Sequence, residues 1–250
     1  MSMNVINVIR VTGDEEEIKR MMSAVTVLTD EGIPCFDFNK VIPMPDELRV
    51  PNDGKPLIRS HLNNYLTMVN PASQTSDAAF EKLSEKEFAE LHKVIFNYYN
   101  KSNTYLLNCF LPAPDAQEAQ LGEKLAHNIV KYGEPTWYEW SIKNWCTKWN
   151  AYYPSQVDDH TLAFCTAWAS PLPVVYKLAE MFPSLEIEHS SANGDFGYNV
   201  DRRTYKNGKL YKRQSPESCS EEAFALAAEI IGYDPREEEP AEENEEQPEM

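Results

Sequence analysis

The chain has 250 residues, a formal net charge of −17 and a sequence pI near 4.7. This charge argues against nonspecific binding to nucleic acid or to an anionic membrane, because both need clustered positive charge. No apolar run approaches the length of a membrane-spanning helix. The hydrophobic content of 42% suffices for one large domain or two small ones.

The end of the chain is strongly acidic and has few apolar residues. Eight glutamates lie between Glu237 and Glu249. Such a run repels itself and cannot bury a core, so residues 236–250 are predicted to be a disordered tail. The tail could serve only to keep the protein soluble, or it could bind a partner.

The cysteines favour a reducing compartment. They are odd in number and widely spaced, and they include no C-x-x-C pair. The first residues do not read as a signal peptide. We therefore expect reduced thiols in a cytoplasmic protein. The five are Cys35, Cys109, Cys146, Cys165 and Cys219.

The chain begins with the pattern of a β-α-β unit. Residues 4–13 are rich in valine and isoleucine and predict a buried strand. Asp14 is a good N-cap, and apolar residues at helical spacing continue to Leu28. Gly32 is expected to end this helix. Residues 33–45 predict a second strand.

Residues 46–133 have a different pattern and predict a helical insertion. Residues 46–57 are a polar loop in this interpretation. Helices are predicted over 83–99, with Ser84 as the cap, and over 118–133.

The second half of the chain predicts alternating strands and helices. Its strong local signals are Ser170-Pro171 at a helix start and Asn207-Gly208 at a hairpin turn. The predicted order is β-α-β, insertion, β-α-β-β-β, helix. This order favours an α+β, ferredoxin-like split β-α-β with a mainly antiparallel sheet, formed by 1–45 and 134–235. The predicted strands are 160–168, 184–191, 196–201 and the two arms of the hairpin; the predicted helices are 170–182 and 221–235.

Residues 136–153 hold four of the five tryptophans. A helix is predicted from Trp137, followed by an extended stretch with Trp145, Thr147 and Trp149 on one side. Such aromatics most often seal a core, and we favour that interpretation. The alternative is a ligand-stacking platform or partner surface. Its candidate residues are Trp140, Trp145, Thr147, Lys148, Trp149 and Asn150.

Three stretches carry a resemblance to a known family: "FDFNKVIPMPDEL", "YGEPTWYEWSIKNWCTKWNAY" and "LAFCTAWASPLPVVYKLAEMFPSLEIEH". In this order they resemble the YubB-like family of phage and plasmid proteins, over roughly residues 1–235. The resemblance implies a ferredoxin-like domain in a mobile-element protein within the cytoplasm of a bacterial host. It supplies no catalytic residues. The family usually has glycine where this chain has Cys146, which puts the local backbone geometry in question.

A hairpin at 201–214 is the chain's only basic patch. Its cations, interleaved with tyrosines, suit phosphate contacts and base stacking. The alternative, which we favour, is an edge hairpin whose lysines prevent sheet-to-sheet association. The candidate residues are Arg202, Arg203, Lys206, Lys209, Lys212 and Arg213.

The sequence has no pattern that names a reaction. It lacks a Walker loop, an H-E-x-x-H motif and a clustered Cys/His ligand set, so we expect no cofactor, no metal and no catalytic residues. Asp158, Asp159 and His160 are interpreted as a solvated loop. Lys143 and Lys148 could lower the pKa of the Cys146 thiol, but we favour a structural role, since free cysteines are usually buried.

We expect a non-enzymatic interaction protein that acts on a host protein, through counter-defence or DNA mimicry. The alternatives are a single-stranded nucleic-acid-binding module, or a ligand binder or enzyme centred on the tryptophan segment.

Overall fold

A computed structural model describes residues 4–52, 54–75, 77–101 and 115–236. Predictions on the acidic tail beyond Arg236 lie outside the described residues. The chain divides into two compact units. The first takes the described residues up to Ile42 and from Trp145 onward, and the second is Pro43–Asn144.

This division assigns residues 134–144 to the inserted unit, whereas the sequence prediction placed them with the ferredoxin-like domain. Hydrogen bonds within the inserted unit explain the difference. The Asn128 Nδ2 donates to Pro135 O at 2.9 Å and to Glu47 O at 3.0 Å. The Asn52 Nδ2 donates to the Thr136 Oγ1 at 3.2 Å.

The described elements comprise eight strands and seven α-helices, numbered here along the chain. The strands are β1 Asn4–Thr12, β2 Thr26–Leu28, β3 Pro34–Phe36, β4 Tyr152–Asp158, β5 Thr161–Ala167, β6 Glu186–Asn193, β7 Asp201–Lys206 and β8 Lys209–Gln214. The helices are α1 Glu15–Val25, α2 Lys55–Val69, α3 Glu85–Lys101, α4 Ala116–Tyr132, α5 Trp137–Trp145, α6 Leu172–Met181 and α7 Glu221–Ile231.

The first unit is built on a six-stranded sheet in the order β4-β5-β1-β6-β7-β8, with every neighbouring pair antiparallel. β1 and β4 are separated by β5, and β5 and β6 are separated by β1. Each β-α-β unit is thus split by a strand of the other. The predicted ferredoxin-like α+β class is confirmed.

The first predicted β-α-β unit needs a correction. α1 starts as predicted, with the Asp14 side chain accepting from two backbone N–H groups, but it ends at Val25 and not at Gly32. The β-branched pair after Val25 favours a strand, and β2 pairs with β3 in a separate two-stranded sheet. The second strand in the main sheet is therefore β4, which follows the insertion.

Two further strand predictions were wrong, one in its length and one in its type. The strand predicted over 33–45 stops at Phe36, because a 3₁₀ turn capped by Asp37 follows it. The strand predicted over 196–201 is a turn, in which the Tyr198 N–H donates to Asp195 O. Gly197 in that turn has φ +80° and lies against the Phe224 ring, so no side chain fits there.

The sheet of the first unit is covered on both faces. Val8 packs with Ala192 and with Leu226 and Ala227 of α7. Since side chains alternate along a strand, Asn7 and Ile9 point to the opposite face. Both of these residues are fully buried.

The second unit is a helical cluster built on α2, α3 and α4. Ile58 and Leu62 of α2 pack with Ile95 of α3 and Leu125 of α4. The sequence analysis placed the start of α2 in a polar loop. The signals it missed are Gly54 and Pro56 at the helix start, ahead of apolar residues at helical spacing. None of the helices in the described ranges is long and apolar enough to cross a membrane.

Gly122 is where α4 approaches α2 most tightly, and it gives a test of the packing. A Cβ at this position would lie 2.8 Å from the Tyr65 Cβ and closer still to the His61 carbonyl. Helix propensity alone predicts that Gly122→Ala stabilises the protein by about 1 kcal/mol. Overpacking predicts instead that the variant loses roughly 1–3 kcal/mol of stability, and this is the result we expect.

Urea unfolding monitored by circular dichroism measures the effect. Gln120→Ala, at an exposed position of the same helix, is the control and should change stability by less than about 0.5 kcal/mol. A more stable Gly122→Ala variant would contradict the close helix approach.

Candidate functional site

Two tryptophans of the segment belong to cores. Trp145 ends α5, is 3% exposed and donates its Nε1–H to Ile42 O at 3.0 Å. Its ring meets the Phe38 ring edge-on at 5.7 Å. Trp140 is buried in the second unit. These two rings are unavailable to a ligand in this structure.

Thr147 anchors the chain after α5 to the end of β5. Its hydroxyl is fully buried, donates to Ala167 O at 2.9 Å and accepts from Ala167 N at 3.1 Å. Both hydrogen-bonding capacities of the side chain are thus used within the fold. Thr147 positions the segment and does not face a ligand.

Asn150 is the second anchor. Its Oδ1 accepts from Phe38 N at 2.8 Å, and its Nδ2 donates to the Asp37 Oδ1 at 2.7 Å. The side chain therefore joins the segment to the 3₁₀ turn after β3. Like Thr147, it has a structural role here.

The predicted alternation of the segment was wrong beyond Trp145. Residues 146–150 are a series of bends, and Cys146 has φ +61°. This left-handed residue shifts the pattern, so that Trp145, Thr147 and Asn150 point inward while Cys146 and Trp149 are exposed. The glycine that the resembled family usually has would suit this φ without strain.

The outward side chains join others to form a continuous aromatic strip, defined as Lys148, Trp149, Tyr152, Tyr153 and Trp168. The Lys148 Nζ lies 4.3 Å from the ring centroid of Trp149 and 5.4 Å from that of Trp168. Ring centroids of Trp149 and Tyr152 are 6.2 Å apart, and those of Tyr152 and Tyr153 are 5.1 Å apart. The sequence analysis missed Trp168, because its strand-like neighbours gave no sign that it turns outward.

The strip exposes much apolar surface. Trp149 is 43% exposed, Trp168 45% and Tyr153 72%. Beside the rings is a groove of about 630 Å³, lined by Asn4 and by Trp149, Asn150, Ala151, Tyr152 and Tyr153. At its floor the Tyr152 hydroxyl donates to the Asn4 Oδ1 at 2.9 Å, which fixes that ring.

The backbone that presents the strip is strained at two points. Tyr153 has φ +48° and Trp168 has φ +70°. Across Trp168 the Ala169 N–H donates to Ala167 O at 2.9 Å, which makes a γ-turn of the uncommon positive-φ form. Such residues cost of order 1–3 kcal/mol each and are concentrated at functional sites. Strain at two exposed aromatic residues is the strongest sign of function in the described structure.

A buried polar network involves the loop that carries Trp168. The Asn7 Nδ2 donates to Val5 O and to the Thr166 Oγ1, so its Oδ1 faces Ser170 and His189. The Ser170 hydroxyl donates to this Oδ1 at 2.8 Å, and the His189 Nε2 lies 3.1 Å from it. An acceptor at that distance requires the proton on Nε2. His189 therefore has no free lone pair on Nε2 with which to activate Ser170.

His189 is held neutral by its surroundings. The pKa of His189 is lowered to about 4, mainly by burial; nearby Asp201 raises it and Arg203 lowers it, each by less than burial does. Its buried Nδ1 has no hydrogen-bond partner within the described structure. Protonation would add a charge at this buried Nδ1 while the Nε2–H bond to Asn7 stays, so the cost of burying the charge is what opposes it.

The basic hairpin forms as predicted from β7 and β8, but most of its cations are paired. Arg202 binds Glu229 at 2.7 Å and Lys206 binds Glu186 at 2.8 Å. Arg203 and Arg213 share Asp201, whose pKa these two guanidiniums hold down against the effect of burial. Lys209 and Lys212 form no ion pair with a described carboxylate.

The remaining candidates offer no reactive site. The His160 Nε2 lies 3.1 Å from the Glu15 Oε2 at the mouth of a 340 Å³ cleft. No group of three potential metal ligands occurs in the part of the chain that the structure describes. Burial raises the pKa of Cys146 and of Cys165, which contradicts the alternative of a lowered pKa at Cys146.

The fold and site together define a ferredoxin-like α+β protein that displays an aromatic strip. Residues 148–236 match the family model described as the ferredoxin-like domain in Api92-like protein. The matched region begins at Lys148 and includes every residue of the strip.

The crystal structure of protein api92 from Yersinia pseudotuberculosis is also similar, with 11% sequence identity and a TM-score of 0.41. The match covers 88% of this chain and all of that chain. No curated protein matches the chain.

The left-handed Cys146 gives a stability prediction. Cys146→Gly removes the steric cost of a Cβ at φ +61°, and it should raise the free energy of unfolding by about 1 kcal/mol. Cys219→Gly, at φ +63° on the exposed surface, is the matched control for the backbone effect. Chemical denaturation measures both. A loss of stability in Cys146→Gly alone would mean that the thiol has a packing role.

His189 gives a pH prediction. Between pH 6.5 and about 4 the unfolded histidine binds a proton that the folded one does not. The free energy of unfolding should therefore fall as pH is lowered through this window, by up to ~3 kcal/mol. His189→Gln, whose amide can still donate to Asn7, should flatten that slope. Urea titrations at several pH values test this, and identical slopes would refute it.

Proposed function

We propose that the protein is a non-enzymatic binding protein whose aromatic strip contacts a partner protein. The observation that carries the proposal is the exposure of Trp149, Tyr153 and Trp168 on a backbone strained at two of them. Tryptophan and tyrosine are the residues most enriched at the energetic centres of protein interfaces. The YubB-like resemblance makes a host protein the partner we propose for a phage or plasmid protein in a bacterial cytoplasm.

The anchoring of the strip supports this function. Thr147 and Asn150 hold the segment on either side of Lys148 and Trp149 through buried hydrogen bonds. Rings that are positioned before binding lose less conformational freedom when a partner arrives. Lys148, between two indoles, adds a cation that could meet a carboxylate or carbonyl at the rim of an interface.

The two alternative functions have less support. Single-stranded nucleic acid would need a row of cations along its backbone, yet four of the six basic residues of the hairpin are in ion pairs, and the hairpin lies at the sheet edge opposite the aromatic strip. A ligand binder or enzyme centred on the tryptophan segment would need its candidate side chains to face a ligand, yet Trp140 and Trp145 are buried and Asn150 hydrogen-bonds to the turn after β3. The net charge of −17 instead suits a basic surface on the partner, as counter-defence by DNA mimicry would require.

Affinity capture from bacterial host lysate tests the proposal. The test variant is Trp149→Ser with Tyr153→Asn, because asparagine tolerates the positive φ at that position. Tyr211→Asn on β8, where the ring is 69% exposed, is the control. A partner captured by the wild type and the control should be recovered at least ten-fold less with the test variant.

Two outcomes contradict the proposal. One is equal recovery of the partner with the strip variant, and the other is capture of no protein at low salt. Nuclease treatment of the lysate separates protein binding from bridging by nucleic acid. Circular dichroism and thermal unfolding of each variant show that the fold is retained.

A further inference from the structure

Lys148 lies between two exposed indoles. Its Nζ is 4.3 Å from the ring centroid of Trp149 and 5.4 Å from that of Trp168. Both distances are within the range in which a cation is attracted by the negative face of an aromatic ring. Because one ammonium group reaches both rings, the space between the two indoles is about the size of a single cationic group. We call this space the indole box, with Trp149 and Trp168 as its walls.

The walls of the indole box are joined by a buried hydroxyl. Thr147, two residues before the first wall, donates to Ala167 O at 2.9 Å and accepts from Ala167 N at 3.1 Å. Ala167 directly precedes Trp168, so one side chain joins the segment that carries one wall to the turn that carries the other. On the far side of Trp168, the Thr166 hydroxyl donates to Ala169 O at 2.8 Å. Hydrogen bonds within the fold therefore position the walls before any ligand arrives.

The Lys148 ammonium can leave the box while the walls stay in place. Lys148 is half-buried, and its ammonium is carried on a flexible stem of four carbons. An ammonium is strongly hydrated, so the return of this group to water offsets part of the attraction that it loses. The hydrogen bonds of Thr147 and Thr166 do not involve Lys148, and they persist when it moves.

The chemistry of the empty box favours a cation. Among the aromatic side chains, the tryptophan face attracts cations best. The formal charge of −17 also draws cationic partners towards the chain and repels anionic ones over longer distances. A guanidinium is planar and more weakly hydrated than an ammonium, so it loses less hydration when it stacks on an aromatic ring. An arginine side chain is therefore the protein cation best able to replace Lys148.

We propose that the indole box binds an arginine side chain of the partner protein, and that Lys148 closes the box until this arginine displaces it. The inference rests on the proposed function, because it names the chemistry that the aromatic strip recognises in its partner. The displaced ammonium can then reach the rim of the box and meet a carboxylate or carbonyl of the same partner. A partner with a basic surface, which the charge of the chain favours, supplies such arginines.

A titration of the full chain with blocked tripeptides tests the ligand chemistry. The probe is acetyl-Gly-Arg-Gly-amide, and its control is the citrulline peptide, which has the same shape without the charge. In ¹H–¹⁵N spectra the arginine peptide should shift the indole N–H signals of Trp149 and Trp168 to saturation, and the citrulline peptide should bind about five-fold more weakly. Equal binding of both peptides, or stronger binding of the matching glutamate peptide, would overturn the inference.

The displacement of Lys148 has its own spectroscopic signature. Ring currents of the two indoles should move the Cε protons of Lys148 upfield in the free protein, and saturation with the arginine peptide should return them towards their ordinary chemical shift. Cε protons that stay upfield at saturation would show that Lys148 remains between the rings, which contradicts the proposal.

Two variants separate the closing of the box from a general effect of charge. Lys148→Ala, in which the box is open, should bind the arginine peptide about five-fold more tightly than the wild type. Lys209→Ala removes the same charge from an exposed position at the opposite edge of the sheet and should bind as the wild type does. Equal binding by the two variants would refute a closing role for Lys148.

These measurements use synthetic peptides and no host protein, so they fail independently of the capture experiment. A chain that captures a host protein through the strip but does not prefer the arginine peptide would overturn this inference and leave the proposed function in place. A chain that prefers the arginine peptide but captures no host protein would contradict the proposed function alone.

Discussion

β1 is the strand on which the first unit depends, because it is paired on both sides by strands that follow much later in the chain. β5 and β6 both hydrogen-bond to it, and Asn7 at its centre joins Ser170, in the loop after β5, to His189 of β6. The sheet therefore cannot close until the chain returns from the insertion. A protonated His189 or a disturbed Asn7 would act on both halves of the sheet at once.

In the tryptophan segment, some residues stabilise the fold and others are exposed at the surface. Trp145, Thr147 and Asn150 are used within the fold, through a ring contact and six hydrogen bonds to Ile42, the 3₁₀ turn with its cap Asp37, Ala151 and β5. These anchors lie on either side of Lys148, which is half-buried, and Trp149, which is exposed. A rigid base beneath exposed rings is what a binding surface requires, since less order has to be created on association.

Electrostatics in the first unit are mostly local. The arginines of the hairpin neutralise carboxylates on β6, β7 and α7, and so they stabilise the sheet without forming a cationic field. An acidic protein with a basic segment in its sequence can therefore lack a basic binding surface.

The sequence by itself determined the elements whose signals are local: β1, the Asp14 cap of α1, the capping box of Ser84 and Glu87, and the Asn207-Gly208 hairpin. The order of strands and helices predicted from the sequence was enough to assign the ferredoxin-like class. Only the tertiary structure decided that α1 stops at Val25, that Cys146 is left-handed and that Trp168 joins Trp149 around Lys148. Caps and turns depend on hydrogen bonds between near neighbours, which local sequence encodes. Which outward side chains meet depends on strand pairing between distant segments, and periodicity carries no information about that.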